Sequence, residues 1–477
     1  MNFSKDIRIL LSHSLWSFFG TFISRGLMFV TWVLVANILG KTINGEVGML
    51  RSTINLFISF VGTGFGLTLT KYIVKYQNKS LEQTNKIISA SIFYSIILGL
   101  VLSLLYYYFS PLIATELLKA PHLLFTIRIN VILLFLSISN SVFLGFLQGF
   151  EKFKEISIIN IIYGISLFVF VFFGAKTMGI NGTFIGFILA MFISLFISLL
   201  YAYKTFKIEK LQFTFDFKSE LPVLYSFTIP AIFSGLTVVP FKWILDTLMV
   251  REENGYNEMG LFTALFLFHT LLIMIANTLN APLITIMSKE KKDNAIEKLN
   301  LILPWSLAVL VSTPILLFPE LLGLLFNQEY LLDKNFKWTI VLIIITTILV
   351  LYKNGMGRIM IVNNLMWFSF FSNLLWGLVL ISVFYFSPFK NAVSLSLAYA
   401  IAYFVNIILI IPVYVYKKII PISIIASKES ILIWILLSSL VYVSIIGIVM
   451  YLKIGLLLIY TALFIYLFYR LLNKKQT

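Results

Sequence analysis

Apolar residues occur along this chain in long continuous stretches, separated by short clusters of charged residues. Each stretch has about 20 or more residues, the length at which an α-helix crosses the roughly 30 Å hydrocarbon core of a bilayer. They do not alternate apolar and polar positions over about ten residues, as the strands of a membrane barrel do. The pattern therefore predicts about 14 membrane-spanning helices. The predicted spans are 10–38, 45–70, 87–109, 123–149, 156–175, 180–202, 223–249, 259–287, 300–322, 338–361, 364–386, 392–415, 430–451 and 454–472.

A short part of the sequence is present twice. The letters NGEVGML at 44–50 return as YNEMGLF at 256–262, and further matches occur at nearly the same offset. Several matches at one offset indicate an internal duplication, which in membrane proteins is typical of transporters with a substrate site between the paired halves. We predict an N-terminal six-helix lobe at 1–210 and a C-terminal six-helix lobe at 211–418 in parallel repeat. Two further helices occupy 419–477.

Composition and charge agree with an all-α integral membrane protein. Hydrophobic residues make up 60% of the 477 and charged residues 12%, whereas soluble domains are usually about 45–50% apolar and about 25% charged. With both termini in the cytoplasm, 24 of the 36 lysines and arginines fall in inner segments, including Lys353 and Arg358, and eight fall in outer ones. This bias predicts cytoplasmic termini. Basic loops facing anionic lipid explain much of the net charge of +16 without a nucleic acid partner.

Several classes of function are excluded by what the sequence lacks. There is no cysteine, so disulfides, thiolate metal sites and cysteine nucleophiles are ruled out. No phosphate-binding glycine loop with Lys-Ser/Thr is present, and no His/Asp/Glu cluster has metal-ligand spacing. The outer connections are too short to hold an independent active site. We therefore predict a protein that is not an enzyme and has no cofactor.

Five charged residues lie inside the predicted spans: Arg25, Arg51, Arg128, Lys242 and Asp246. A charge near the centre of a bilayer costs at least about 2.5–3.5 kcal/mol, so such residues face a cavity, a partner or a headgroup. We predict that they bind substrate in a cationic cleft between the lobes, where arginine forks match phosphate oxygens. Two alternatives stay open. Lys242 and Asp246 are spaced for a structural salt bridge within one helix, and Arg51 and Arg128 lie near enough to span ends to snorkel to headgroups.

The sequence also resembles a known family. The segments that carry the likeness are SLW at 14–16, Arg25, LVANILG at 34–40, GEVG at 45–48, GTGFGL at 62–67, KYI at 71–73, FLQG at 146–149, KFK at 152–154, and Asp246 ahead of GLF at 260–262. They resemble bacterial polysaccharide repeat-unit flippases of the multidrug/oligosaccharidyl-lipid/polysaccharide exporter superfamily. The likeness extends over at least the first twelve predicted helices.

The resemblance implies a two-lobed helical transporter in the bacterial cytoplasmic membrane. Its substrate would be an undecaprenyl-pyrophosphate-linked oligosaccharide, moved by alternating access, and its partners would be membrane lipids and other polysaccharide assembly proteins. A lipid II flippase is the first alternative, and in those relatives the last two helices shape a groove for the lipid tail. A multidrug exporter is the second, although such exporters require carboxylates in the first lobe. A sugar transporter of the major facilitator type is disfavoured, because its Gly-x-x-x-Asp-Arg signature is missing from 71–86.

Overall fold

The computed structural model describes residues 5–216, 218–229, 232–233, 236–277, 283, 294–362, 365–417, 420, 422–446 and 449–473, with side chains for all but 5–19, 62–63, 294–295, 361–362, 366 and 422–423. All regular secondary structure in these ranges is helical. The long helices are α1 Lys5–Ser59, α2 Gly62–Tyr76, α3 Leu81–Leu112, α4 Leu124–Gly149, α5 Phe153–Ile208, α6 Val239–Val250, α7 Gly255–Asn277, α8 Asn294–Leu317, α9 Phe336–Val362, α10 Met366–Phe386, α11 Ala392–Tyr416, α12 Lys428–Ile446 and α13 Met450–Asn473.

Eleven helices in the described part of the chain are long and apolar enough to cross a membrane, so this is a multi-pass, all-helical membrane protein. Two of them correspond to pairs of predicted spans. Helix α5 has 56 residues, about 84 Å at 1.5 Å per residue, which is far more than one crossing needs. It is broken at Met178 and Gly179, and α1 is broken at Gly40. Both glycines have positive φ, which glycine adopts without steric cost. The total of fourteen spans and the cytoplasmic termini remain predictions.

The chain divides into two compact units, Met1–Gly260 and Leu261–Thr477. In the first unit α1 packs on α5, α4 packs on α2, α3 and α5, and α6 packs on α1. Small residues bring α1 and α5 into backbone contact, because a Cβ added to Gly164 would lie 2.9 Å from the Cα of Ser24. This close approach sets the next residues, Arg25 and Tyr163, beside each other.

The two copies of the repeated sequence touch within the first unit. We call this packing of 41–45 against 256–260 the repeat contact. Asn44 Nδ2 donates a hydrogen bond of 3.1 Å to the carbonyl oxygen of Gly260. A Cβ on Gly260 would lie 1.8 Å from the backbone oxygen of Lys41, and one on Gly45 would lie 1.9 Å from that of Tyr256. The two backbones therefore meet at a distance that only glycine permits.

In the second unit α9 packs on α8 and α11, and α10 packs on α11. The last two helices also belong to this unit, since both pack on α8. Trp305 of α8 is buried among aromatic rings, with its centroid 5.5 Å from that of Trp434 on α12 and 5.1 Å from that of Phe468 on α13. Aromatic packing thus joins α12 and α13 to α8.

Lys353 and Arg358, two of the cations assigned to the inner side, lie within the predicted span 338–361, in the last turns of α9. Arg358 is 2% exposed. Its Nε donates to Asn300 Oδ1 and its Nη1 to Asn354 Oδ1, both at 2.6 Å. Lys353 donates to Ser372 Oγ at 2.7 Å and also to Asn406 Oδ1. Amide and hydroxyl oxygens therefore solvate both cations inside the protein.

Candidate functional site

Arg51 stacks on an aromatic ring of the same helix. Its guanidinium carbon lies 3.8 Å from the ring centroid of Trp32, a cation–π distance. The two residues are 19 positions apart, which on a straight helix would separate them by about 28 Å. The contact exists because the break at Gly40 folds the second part of α1 back along the first. Trp32 is itself fixed by an edge-on contact with Phe187 at 5.8 Å.

Arg25 approaches the same place from the first part of α1. Its side chain is half-buried, and its Nη1 lies 3.5 Å from Met28 Sδ. The hydroxyl-bearing ring of Tyr163 on α5 interacts electrostatically with both Arg25 and Arg51. Tyr163 is therefore near both guanidinium groups.

Helix α6 supplies the remaining charges. Asp246 has no exposed surface, and its Oδ2 accepts a hydrogen bond of 2.6 Å from Ser52 Oγ. Lys242, one turn earlier, is half-buried and interacts electrostatically with Asp246 and with Arg51. Next to this contact, Trp243 Nε1 donates to Thr53 Oγ1 at 3.1 Å. Two adjacent polar contacts thus dock α6 onto the second part of α1.

The structure brings four of the five sequence-predicted residues together, and we call Arg25, Arg51, Lys242 and Asp246 the cationic cluster. The fifth, Arg128, lies elsewhere on the first unit: its side chain is exposed, and its guanidinium carbon is 5.5 Å from the ring centroid of Tyr107. The intrahelical attraction between Lys242 and Asp246 is present, but both also interact with α1. The alternative of an isolated structural salt bridge therefore describes only part of their environment.

Sequence reasoning missed the neutral members of the site, which are Trp32, Ser52 and Tyr163. One signal was available for Trp32. Residues at i+3 and i+7 share a helix face with residue i, which places Met28 and Trp32 on the face of Arg25. Tyr163 comes from a distant helix, and its place depends on the backbone contact of Ser24 with Gly164.

The cluster can bind an anion by electrostatics. Its four side chains carry three positive charges and one negative charge, and guanidinium groups present paired N–H donors that suit phosphate oxygens. Half-buried charges interact with a ligand more strongly than exposed charges, since they are less screened by water and salt. The arrangement suits recognition of a phosphate group without covalent chemistry.

Comparison with known proteins identifies the fold and the family. A family model described as polysaccharide biosynthesis protein matches residues 10–289. Among solved structures, the lipid II flippase MurJ in an inward closed conformation has a TM-score of 0.70 and 18% identity, covering 96% of this chain and 100% of its own. An inward-facing multidrug resistance transporter of the MATE family and MOP superfamily has a TM-score of 0.63 and 15% identity, covering 83% of this chain and 96% of its own.

A third solved structure is a MOP superfamily transporter from Pyrococcus furiosus, described as having a binding pocket of reversed polarity. It has a TM-score of 0.59 and 14% identity, covering 88% of this chain and 100% of its own. At these identities the likeness shows that the chain has the fold of MOP superfamily transporters. No curated protein sequence matches the chain.

Proposed function

The chain belongs to the polysaccharide biosynthesis protein family, and from that premise we propose that it is a flippase for an undecaprenyl-pyrophosphate-linked oligosaccharide. The observation that carries this proposal is the cationic cluster on helices of the MOP transporter fold. The protein would act by alternating access in the bacterial cytoplasmic membrane. Its partners there would be membrane lipids and the polysaccharide assembly proteins that supply and use the repeat unit.

Charge favours this substrate over the cationic drugs of a multidrug exporter. Three cations against one carboxylate give the cluster a net charge of +2, which repels a cationic drug. A pyrophosphate that joins a lipid to a sugar is a diester with two ionised oxygens, so its charge matches that of the cluster. A lipid II flippase remains the second candidate, because lipid II has the same pyrophosphate linkage and the cluster contains nothing specific for a sugar.

The second unit offers an apolar surface that suits a prenyl tail. A groove of about 800 Å³ is lined by α9, α11 and α12, with Leu349, Ile408 and Leu437 among its apolar walls. An isoprenoid chain is purely apolar, and burial of apolar surface contributes about 25 cal/mol per Å². We propose that this groove receives part of the prenyl tail.

Filling the groove is expected to slow translocation. Ile408→Trp places a bulky indole ring at the groove wall. Because this ring would exclude the tail, we expect the translocation rate of a long-chain substrate to fall several-fold. The same substitution should reduce the translocation rate less for a substrate analogue with a ten-carbon prenyl chain. Ile435→Trp is the matched control, since Ile435 is similarly exposed on α12 but does not line the groove. Equal effects of the two tryptophans on translocation in proteoliposomes would contradict a role for the groove.

The test of the function is ligand binding to wild-type protein and to Arg25→Ala. We expect the wild type to bind an undecaprenyl-pyrophosphate oligosaccharide, and the variant to bind it about tenfold less tightly, because loss of one charged hydrogen-bonding group costs at least about 1.4 kcal/mol. Affinities can be measured by scintillation proximity with a radiolabelled lipid. The same assay with a cationic dye supplies the comparison.

The outcomes separate the candidate functions. Binding of the lipid-linked sugar that weakens in Arg25→Ala supports a flippase and assigns the pyrophosphate to the cluster. Dye binding that is unaffected by the substitution, together with no binding of the lipid, would overturn the flippase and favour a drug exporter. Arg128→Ala is the control at an exposed arginine outside the cluster, and it should retain wild-type affinity.

A further inference from the structure

Asp246 is an unusual residue to retain in a site that would bind an anion. It is completely buried, and only one of its oxygens is hydrogen-bonded in the described part of the chain: Oδ2 accepts from Ser52, whereas Oδ1 has no partner there. A buried carboxylate with an unused oxygen is costly. Its negative charge also opposes binding of a phosphate to the neighbouring cations.

Docking of α6 does not explain why the carboxylate is kept. The hydrogen bond from Trp243 Nε1 to Thr53 Oγ1 joins the same two helices beside it. Leu245 and Met249, on either side of Asp246 in α6, are also completely buried. A neutral amide at position 246 would still accept a hydrogen bond from Ser52. The distinguishing property of Asp246 is therefore its charge.

That charge acts on the cations of the cluster. Lys242 lies one turn away on the same helix, and Ser52, which holds Asp246, follows Arg51 directly in α1. With Asp246 ionised the four clustered side chains sum to +2; without it they would sum to +3. Because the interaction energy of a ligand with this field is proportional to the charge of the ligand, one unit charge in the site affects highly charged ligands most.

We infer that Asp246 is a specificity-determining residue that limits the positive charge of the cluster, so that the site prefers a pyrophosphate diester to a pyrophosphate monoester. The inference rests on the proposed function and deepens it. The diester, with a sugar attached, carries two negative charges. The monoester, the same lipid without its sugar, carries nearly three above pH 7, because the last proton of a phosphate ester dissociates near pH 6. Asp246 thereby disfavours a lipid pyrophosphate that has no sugar to be moved.

The experiment compares three short-chain probes in wild type and Asp246→Asn. They are a citronellyl phosphate sugar, a citronellyl pyrophosphate sugar and citronellyl pyrophosphate, which carry one, two and nearly three negative charges. We expect Asp246→Asn to raise affinity by about threefold, tenfold and thirtyfold respectively, an equal factor for each ligand charge. Isothermal titration calorimetry of the full-length protein in detergent gives the three affinities.

Two further variants test whether the charge of Asp246 causes the preference for the diester. Asp246→Glu restores the charge and should return the preference for the diester towards the wild-type value. Asp216→Asn removes an exposed carboxylate that pairs with Lys86 outside the cluster, and it should leave all three affinities unchanged. If Asp246→Asn does not fold, Asp246→Glu still tests the inference, since it must keep the preference for the diester, and a glutamate variant that binds the monoester more tightly would overturn it.

The result also distinguishes this inference from the proposed function. If the wild type binds none of the three probes and no long-chain lipid pyrophosphate, the proposed function fails. If the wild type binds the sugar-linked probes but Asp246→Asn changes all three affinities by the same factor, or by none, only the role of Asp246 is overturned.

Discussion

Gly260→Ala is expected to lower the free energy of unfolding by about 2–3 kcal/mol, at the upper end of the range for overpacked sites. The added Cβ would lie 1.8 Å from the backbone oxygen of Lys41. Because the obstacle is backbone rather than a rotatable side chain, the clash can be relieved only by moving two helices apart. That movement would also lengthen the hydrogen bond from Asn44 to the carbonyl oxygen of Gly260, now 3.1 Å.

The measurement is the thermal midpoint of the purified protein, with chemical unfolding in mixed micelles for the free energy. Gly357→Ala is the matched control. A Cβ on Gly357, in α9, meets no atom within 4 Å, so that substitution should be neutral or slightly stabilising.

Gly45→Ala should destabilise the protein about as much as Gly260→Ala. The double variant should lose less free energy of unfolding than the sum of the two single losses, since one separation of the helices relieves both clashes. Strict additivity would contradict the geometry of the repeat contact.

Arg358→Met is expected to destabilise the protein by about 3 kcal/mol. The arginine makes two short hydrogen bonds, to Asn300 Oδ1 and Asn354 Oδ1, and hydrogen bonds to charged groups contribute about 1.5–3 kcal/mol each. Methionine fills much of the volume but leaves the oxygen of Asn300 buried without this donor. Asn300 also donates to the carbonyl oxygen of Gly355 at 2.8 Å, so the loss would loosen the contact of α8 with α9.

Arg251→Met provides the control for this prediction. It makes the same chemical change at an exposed position after α6, and surface substitutions usually alter stability by less than about 0.5 kcal/mol. The stability of Arg358→Lys should lie between those of the wild type and Arg358→Met, because one ammonium group cannot reach both amide oxygens with the geometry of a guanidinium. A thermal midpoint of Arg358→Met equal to that of the wild type would show that the polar network does not stabilise the second unit.

Much of the fold followed from hydrophobic length, because a membrane imposes that length on every spanning helix. The gap predicted between 38 and 45 contains the break at Gly40, and the gap between 175 and 180 contains the break at Met178 and Gly179. The boundary beyond Asn277 lies outside the described residues. Charge alone assigned Lys353 and Arg358 to the inner side of the membrane, and the sequence did not indicate the amides that solvate both cations inside the protein.

The site was predictable to the extent that charge in an apolar span is rare. Arg25, Arg51, Lys242 and Asp246 stood out in the sequence for that reason, and they lie together in the structure. Their neutral neighbours did not stand out, since Tyr163 is one of 23 tyrosines and Trp32 one of eight tryptophans. Arg128 satisfied the same criterion as the others but is exposed beside Tyr107. Sequence alone does not say which face of its helix points into the protein.

The repeat contact has an evolutionary consequence. Two segments of similar sequence here pack against each other, so a larger residue at Gly45 or Gly260 is tolerated only if the opposite backbone moves. We expect selection to act on both segments jointly. We therefore expect this stretch to change more slowly among relatives than the rest of the chain.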